Sequence, residues 1–237
     1  VSASVDQPVV VLVHGGCAES AIWAGVIRRL AERGVSTVAF ANPLRGVAED
    51  AAKLSSLITT LDQKVILAGH CYGGMVTTAA AVHPSVKALV YVTAFAPAPG
   101  ESAALLTSKF EGSTLGDALM YRGGGELIID PAKFHEQYAA DLPYDQAALL
   151  AATQRPIAER ALDEPLDTDE AAWQWLPSWF IWGGAGRSIP AEALRFMADR
   201  AGGMDCYEIP NASHATPVSR AAAVTETILE AAAYLER

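Results

Sequence analysis

The 237-residue chain is 51% hydrophobic and 19% charged, which excludes the disordered class and leaves enough apolar side chains for a large buried core. Its 27 acidic and 17 basic side chains give a formal net charge of −10, spread along the chain, so it lacks the footprint of a nucleic-acid binder and does not suit an anionic membrane surface. No apolar run approaches the ~20 residues that span a bilayer, residues 1–8 lack the regions of a secretory signal, and three cysteines without CxxC spacing fit no disulfide framework or zinc site, so a cytoplasmic protein is expected.

In chain order, residues 8–13 form a continuous β-branched run, as in a strand buried on both faces of a parallel sheet, and end in His14-Gly15-Gly16. Ile22, Trp23, Val26, Ile27 and Leu30 recur at helical spacing, with Ser20 as N-cap and Gly34 as stop. Strand 35–40, helix 47–61, strand 64–68, a helix to residue 83 and strand 87–95 follow. This alternation predicts right-handed βαβ crossovers and a parallel sheet covered by helices. Beyond Pro97 the rhythm breaks for about 80 residues, where helical patterns over 131–140 and 144–160 suggest an inserted helical lid. It resumes with strand 178–182, helix 190–201, strand 205–209 and a closing helix 218–235, so residues 1–237 read as one α/β domain.

Gly69-His70-Cys71-Tyr72-Gly73-Gly74 lies where a buried strand gives way to a helix. A nucleophile elbow is such a turn: it lifts its central side chain above the sheet at strained backbone angles, and flanking glycines remove Cβ atoms that would clash. Here the central residue is Cys71, and the helix N-terminus and a nearby imidazole are expected to favour its thiolate. Cys206, in a strand, reads as a core residue, and Cys17 as a packing residue near Cys71. Folds of this kind meet the charge on an attacked carbonyl with two backbone N–H groups, which would be those of Tyr72 and Gly16. Among the five histidines, only His214 follows the last strand, as the chain order nucleophile, acid, His requires. His70 is expected to point away from Cys71, and His83 and His135 to lie on helix surfaces.

The segments Val11-Leu12-Val13-His14-Gly15-Gly16, Gly69 to Gly74, Ala88 to Val92 and Ala212-Ser213-His214-Ala215, with Trp23, resemble the small α/β-hydrolase esterases, a group that includes bacterial esterases and the plant methylesterases and hydroxynitrile lyases. The resemblance implies an α/β-hydrolase fold, a mostly parallel sheet flanked by helices with a helical lid over residues 97–177. It also implies Cys71 at the nucleophile position, Gly16 and Tyr72 at the oxyanion hole, and His214 as base. Relatives place an Asp just ahead of an Ile-Pro pair, where this chain has Gly186. Asp163, Asp167 and Glu208 are carboxylates elsewhere, and the sequence offers no basis for choosing among them as a replacement.

A thiol ionises far more readily than a serine hydroxyl, so a Cys–His pair depends less on the missing Asp. The leading expectation is acyl transfer on an ester, thioester or lactone through Cys71. The alternatives are a non-hydrolytic enzyme using His214 as acid and base, and an inactive ligand-binding protein. Cys17, Phe110, Tyr121, Phe134, Tyr138 and Trp173 are the candidate pocket residues, pointing to a small apolar or aromatic substrate. No cofactor or metal is implied, and oligomeric state is not encoded legibly.

Overall fold

The computed structural model describes residues 7–237, so the reading of residues 1–8 as lacking a leader falls mostly outside the described residues. In chain order come β1 (Val9–Val13), α1 (Ala24–Glu32), β2 (Thr37–Phe40), α2 (Val47–Leu61), β3 (Val65–Cys71), α3 (Gly73–Ala80) and β4 (Val86–Ala94). An insert follows with α4 (Ala103–Ser108), α5 (Leu115–Ala118), β5 (Leu119–Gly123), β6 (Glu126–Ile129), α6 (Phe134–Tyr138), α7 (Tyr144–Thr153), β7 (Ile157–Ala158) and α8 (Glu159–Asp163). The chain closes with β8 (Ser178–Gly183), α9 (Ala191–Ala201), β9 (Asp205–Ile209), α10 (Thr216–Ser219) and α11 (Ala221–Leu235).

Six strands form one sheet in the order β2-β1-β3-β4-β8-β9, each parallel to its neighbours. All five residues of β1 and all six of β8 are buried, as their unbroken apolar runs require when helices cover both faces. In α2, Val47, Ala51, Leu54 and Ile58 form the buried stripe, at spacings of three and four residues. Gly34 ends the first helical region with φ +75°, the left-handed conformation that its missing Cβ permits.

Four local expectations are corrected. Ser20 is not an N-cap; its hydroxyl donates to the Phe40 carbonyl and ties the first helical turn to β2. Cys206 is exposed rather than core, because β9 is the edge strand of the sheet. The insert is not wholly helical: β5, β6 and β7 make a separate antiparallel sheet. The helix expected to run to residue 160 stops at Thr153, since Pro156 lacks an N–H and holds the preceding residue extended.

The connection from β1 leads to β2 on one side, whereas the connection from β3 leads to β4 on the other. Strand order therefore reverses between β1 and β3, and the loops at their carboxyl ends diverge to leave a crevice. The His14-Gly15-Gly16 loop and the Cys71 turn are the walls of that crevice. They touch closely: a Cβ on Gly73 would lie 2.3 Å from the Val13 carbonyl oxygen. Gly73→Ala is thus expected to lower unfolding free energy by about 2–3 kcal/mol or more, read as a shift in the urea midpoint.

Candidate active site

Cys71 closes β3 with φ +54°, a left-handed backbone that costs a non-glycine residue roughly 1–3 kcal/mol and persists only where the surroundings impose it. The imposing contacts come from the loop after β1. A Cβ on Gly15 would stand 2.5 Å from Cys71 Cβ and 2.7 Å from the His70 carbonyl, so only glycine lets the loop approach. His14 anchors the loop from behind, where its Nε2 accepts from the Asn42 N–H (3.1 Å) and its carbonyl accepts from Asn42 Nδ2 (2.9 Å). Nδ1 of His14 carries the proton, 3.0 Å from the Gly15 carbonyl, and burial pulls the imidazole pKa down to about 4.

The Cys71 side chain borders a cavity, yet burial pushes its thiol up to about 12. The backbone N–H groups of Tyr72 and Gly16 act against that shift, which places both donors around the sulfur. The expected preference for thiolate is therefore reversed: two N–H dipoles do not offset the lost hydration of a negative charge, and no cation assists them. Tyr72 is held by its hydroxyl, which donates to Asp50 (3.0 Å). That buried carboxylate also accepts from the Arg45 N–H at 3.1 and 3.2 Å.

His214 sits between β9 and α10, fully buried, with neither ring nitrogen hydrogen-bonded to any group, the Cys71 sulfur included. Its backbone is fixed by His70, whose Nε2–H donates to the His214 carbonyl (3.0 Å), and by the Ala215 N–H donating to the Tyr138 carbonyl (2.9 Å). The Tyr138 ring meets the imidazole edge-on at 4.9 Å, and the His70 ring lies 5.0 Å away. Burial, then repulsion from His70, holds the His214 pKa well below its ordinary value. His83 and His135 are both half-buried; His83 lies beyond the end of α3, and His135 bonds to the Leu142 carbonyl.

Gly186 does lie beside this histidine. A Cβ there would be 3.7 Å from the His214 backbone nitrogen and 3.8 Å from its Cα, so an Asp side chain would start beside the His214 backbone. Asp163, Asp167 and Glu208 make no hydrogen bond to the His214 ring. Glu208 pairs with Arg195 instead, and Asp141 takes the Ser213 hydroxyl and Arg220.

Gly16, Cys71, Tyr72, Tyr138, Ser188 and His214 border one small chamber of about 30 Å³. Through Cys71 and Ser188 it adjoins a cavity of about 520 Å³ walled by Phe95, Phe110, Leu115, Leu162 and Ile189. Cys17 lines the chamber together with a separate cavity of about 310 Å³, and Phe134 lines only the latter, stacked on Tyr138 at 4.9 Å. Two expected pocket residues stand elsewhere. Tyr121 is 63% exposed on β5 and bonds to Glu159, and the Trp173 indole donates to the Pro97 carbonyl away from both cavities. Both belong to the insert, whose path no periodicity in the sequence reveals. Sequence reading missed Asn42, Asp50 and Ser188, and Ser188, two residues past Gly186, was within reach of the same motif.

The sequence profile of the alpha/beta hydrolase family matches residues 10–227, and the chain belongs to that family. No curated protein matches it in sequence. Among solved structures it is similar to polyneuridine aldehyde esterase, at 21% identity and TM-score 0.79, covering 95% of this chain and 99% of that one. It is similar also to tomato methylketone synthase I complexed with 2-tridecanone (21%, TM-score 0.79, 97% and 99%). An extracellular alpha/beta-hydrolase from a Paenibacillus species gives 21%, TM-score 0.75, 93% and 98%. At these identities the likeness is one of fold. Among the described residues no helix is long and apolar enough to cross a membrane.

Three buried histidines make the fold acid-sensitive. In the unfolded chain they take up protons below about pH 6.5, whereas in the folded chain His14 and His70 stay neutral until about 4 and burial holds His214 well below its ordinary value. The unfolded state then binds more protons, so stability falls as pH falls through that window. Urea titrations at pH 7 and pH 5 should differ by about 5 kcal/mol if all three contribute.

Proposed function

We propose that this chain is an enzyme acting on the carbonyl group of a small, largely apolar substrate, by acyl transfer through Cys71. The observation that carries this reading is the fully buried His214, both nitrogens unpartnered, in one chamber with Cys71 and the Gly16 and Tyr72 residues. With thiol and imidazole both neutral, the pair works by general-base catalysis and not as a preformed ion pair. As the sulfur attacks an ester carbonyl, His214 takes the thiol proton and the carbonyl oxygen becomes an oxyanion at the Gly16 and Tyr72 N–H groups. Collapse expels the alkoxide, which leaves as the alcohol with the proton from His214, and the acyl group remains as a thioester on Cys71. Water, deprotonated by His214, then releases the carboxylic acid and returns the thiol. The 520 Å³ apolar cavity supports an acyl or alcohol portion of matching size and chemistry.

A second reading is favoured by one observation, the elevation of the thiol to about 12 with no carboxylate beside His214. In it His214 moves a proton on the substrate itself while the same amides hold a developing enolate, and Cys71 only lines the site. The resemblance in fold to a methylketone synthase described with 2-tridecanone agrees with such non-hydrolytic chemistry.

Activity against a panel of esters, thioesters and lactones separates the two. Acyl transfer predicts that Cys71→Ala and His214→Ala each lose about 10³-fold or more in kcat/KM, with an acyl adduct on Cys71 visible by intact mass. Full activity in Cys71→Ala with loss in His214→Ala transfers the assignment to the second reading.

Gly186 supplies a further test. If His214 is the base, Gly186→Asp places a carboxylate where it can orient the ring and stabilise its charged form, and should raise ester turnover about tenfold or more. NMR titration should show the His214 pKa moving upward in the same variant, because a nearby negative charge favours imidazolium.

A further inference from the structure

Besides the two His214 nitrogens, the chamber presents two more buried polar atoms without partners, the Tyr138 hydroxyl and the Ser188 hydroxyl. Tyr138 and Ser188 are each only 2% exposed. Unpaired buried polar atoms are few in native proteins and each costs stability, so their convergence on one small space needs a cause. Packing does not supply one. The Tyr138 ring is already placed by Phe134 and His214, and its backbone carbonyl holds the Ala215 N–H. Ser188 is tied through its backbone, where its carbonyl accepts from the Ser113 hydroxyl (3.0 Å). Neither hydroxyl is needed for these contacts.

We propose that Tyr138 and Ser188 form a second oxygen-binding position beside the reacting carbonyl, so that the preferred substrates carry another carbonyl or hydroxyl oxygen within a few bonds of it. This rests on the reading of the chamber as the place where a substrate carbonyl is bound. The chemistry follows from the side chains. The phenol stays protonated, since burial drives its pKa upward, and donates to an oxygen; the serine hydroxyl donates or accepts. The chamber, at about 30 Å³, is small beside the adjoining cavity of about 520 Å³, which keeps the second oxygen near the first. Discrimination comes from the ligands that lack this oxygen. They leave both hydroxyls buried and unpaired, and sites built to hydrogen-bond an oxygen reject its deoxy analogue far more strongly than apolar pockets reject a misfit.

The test compares binding by calorimetry of three seven-carbon ligands: a β-diketone with both oxygens near one end, the corresponding α-hydroxyketone, and the plain methyl ketone. The wild-type protein should bind at least one of the dioxygenated ligands about tenfold or more tightly than the methyl ketone. Tyr138→Phe and Ser188→Ala should each bring that ratio toward one, and the double variant should abolish it. Absence of any preference in the wild type, or a preference intact in the double variant, overturns the proposal. Thermal melting guards the variants: with no ligand, both should melt at or above the wild-type temperature, and a clear fall would show the hydroxyls to be structurally bonded and overturn the proposal too. Because the readout is binding, a protein that shows the preference but turns over no carbonyl substrate would sink the enzymatic reading and leave the oxygen-binding position standing.

Discussion

The close contact between the loop after β1 and the turn after β3 is the constraint on which the site depends. Gly15 lies against Cys71 and the His70 carbonyl, and Gly73 against the Val13 carbonyl, with no space for a side chain at either point. Packing this tight converts two independent strand ends into one rigid unit and holds Cys71 at its left-handed φ. It also sets the Gly16 and Tyr72 N–H groups around the same sulfur. The supports reach back into the fold: His14 with Asn42 behind one loop, and Asp50 with the Tyr72 hydroxyl behind the other.

The same closeness explains the electrostatics. A site assembled from buried backbone excludes water, and both ionisable partners answer by staying neutral, Cys71 as thiol and His214 as imidazole. In a family member with a carboxylate beside the histidine, that charge would offset the cost of protonating the ring. Here Gly186 leaves the imidazole with no hydrogen-bond partner, so any proton it accepts must be stabilised by the transition state alone. The buried histidines also make the fold itself a sensor of acid, because His14 and His70 hold the loop and the His214 backbone in their neutral forms.

The core was legible because both of its periodicities are strong. Apolar runs marked β1, β3 and β8, the spacing of Val47, Ala51, Leu54 and Ile58 marked α2, and the glycines around Cys71 marked the elbow. The insert was less so. Gly123-Gly124-Gly125 marks the β5–β6 hairpin, but its strands are short, and the two-residue β7 joins β6 from farther along the chain, a pairing that leaves no local pattern to read. For the same reason, aromatic content alone could not separate Phe110, which faces the large cavity, from Tyr121 and Trp173, which do not.

Sequence by itself determined the α/β class, the glycine-flanked cysteine where a strand gives way to a helix, and the histidine after the last strand. These are properties of local chemistry and chain order, and one strand-turn-helix is enough to express them. Tertiary structure alone decided the protonation of the site and the membership of the pocket. A pKa depends on how completely neighbours from distant segments exclude water, and Tyr138, Ser188 and His214, far apart in the chain, meet only when the insert and the last two strands fold around the end of β3.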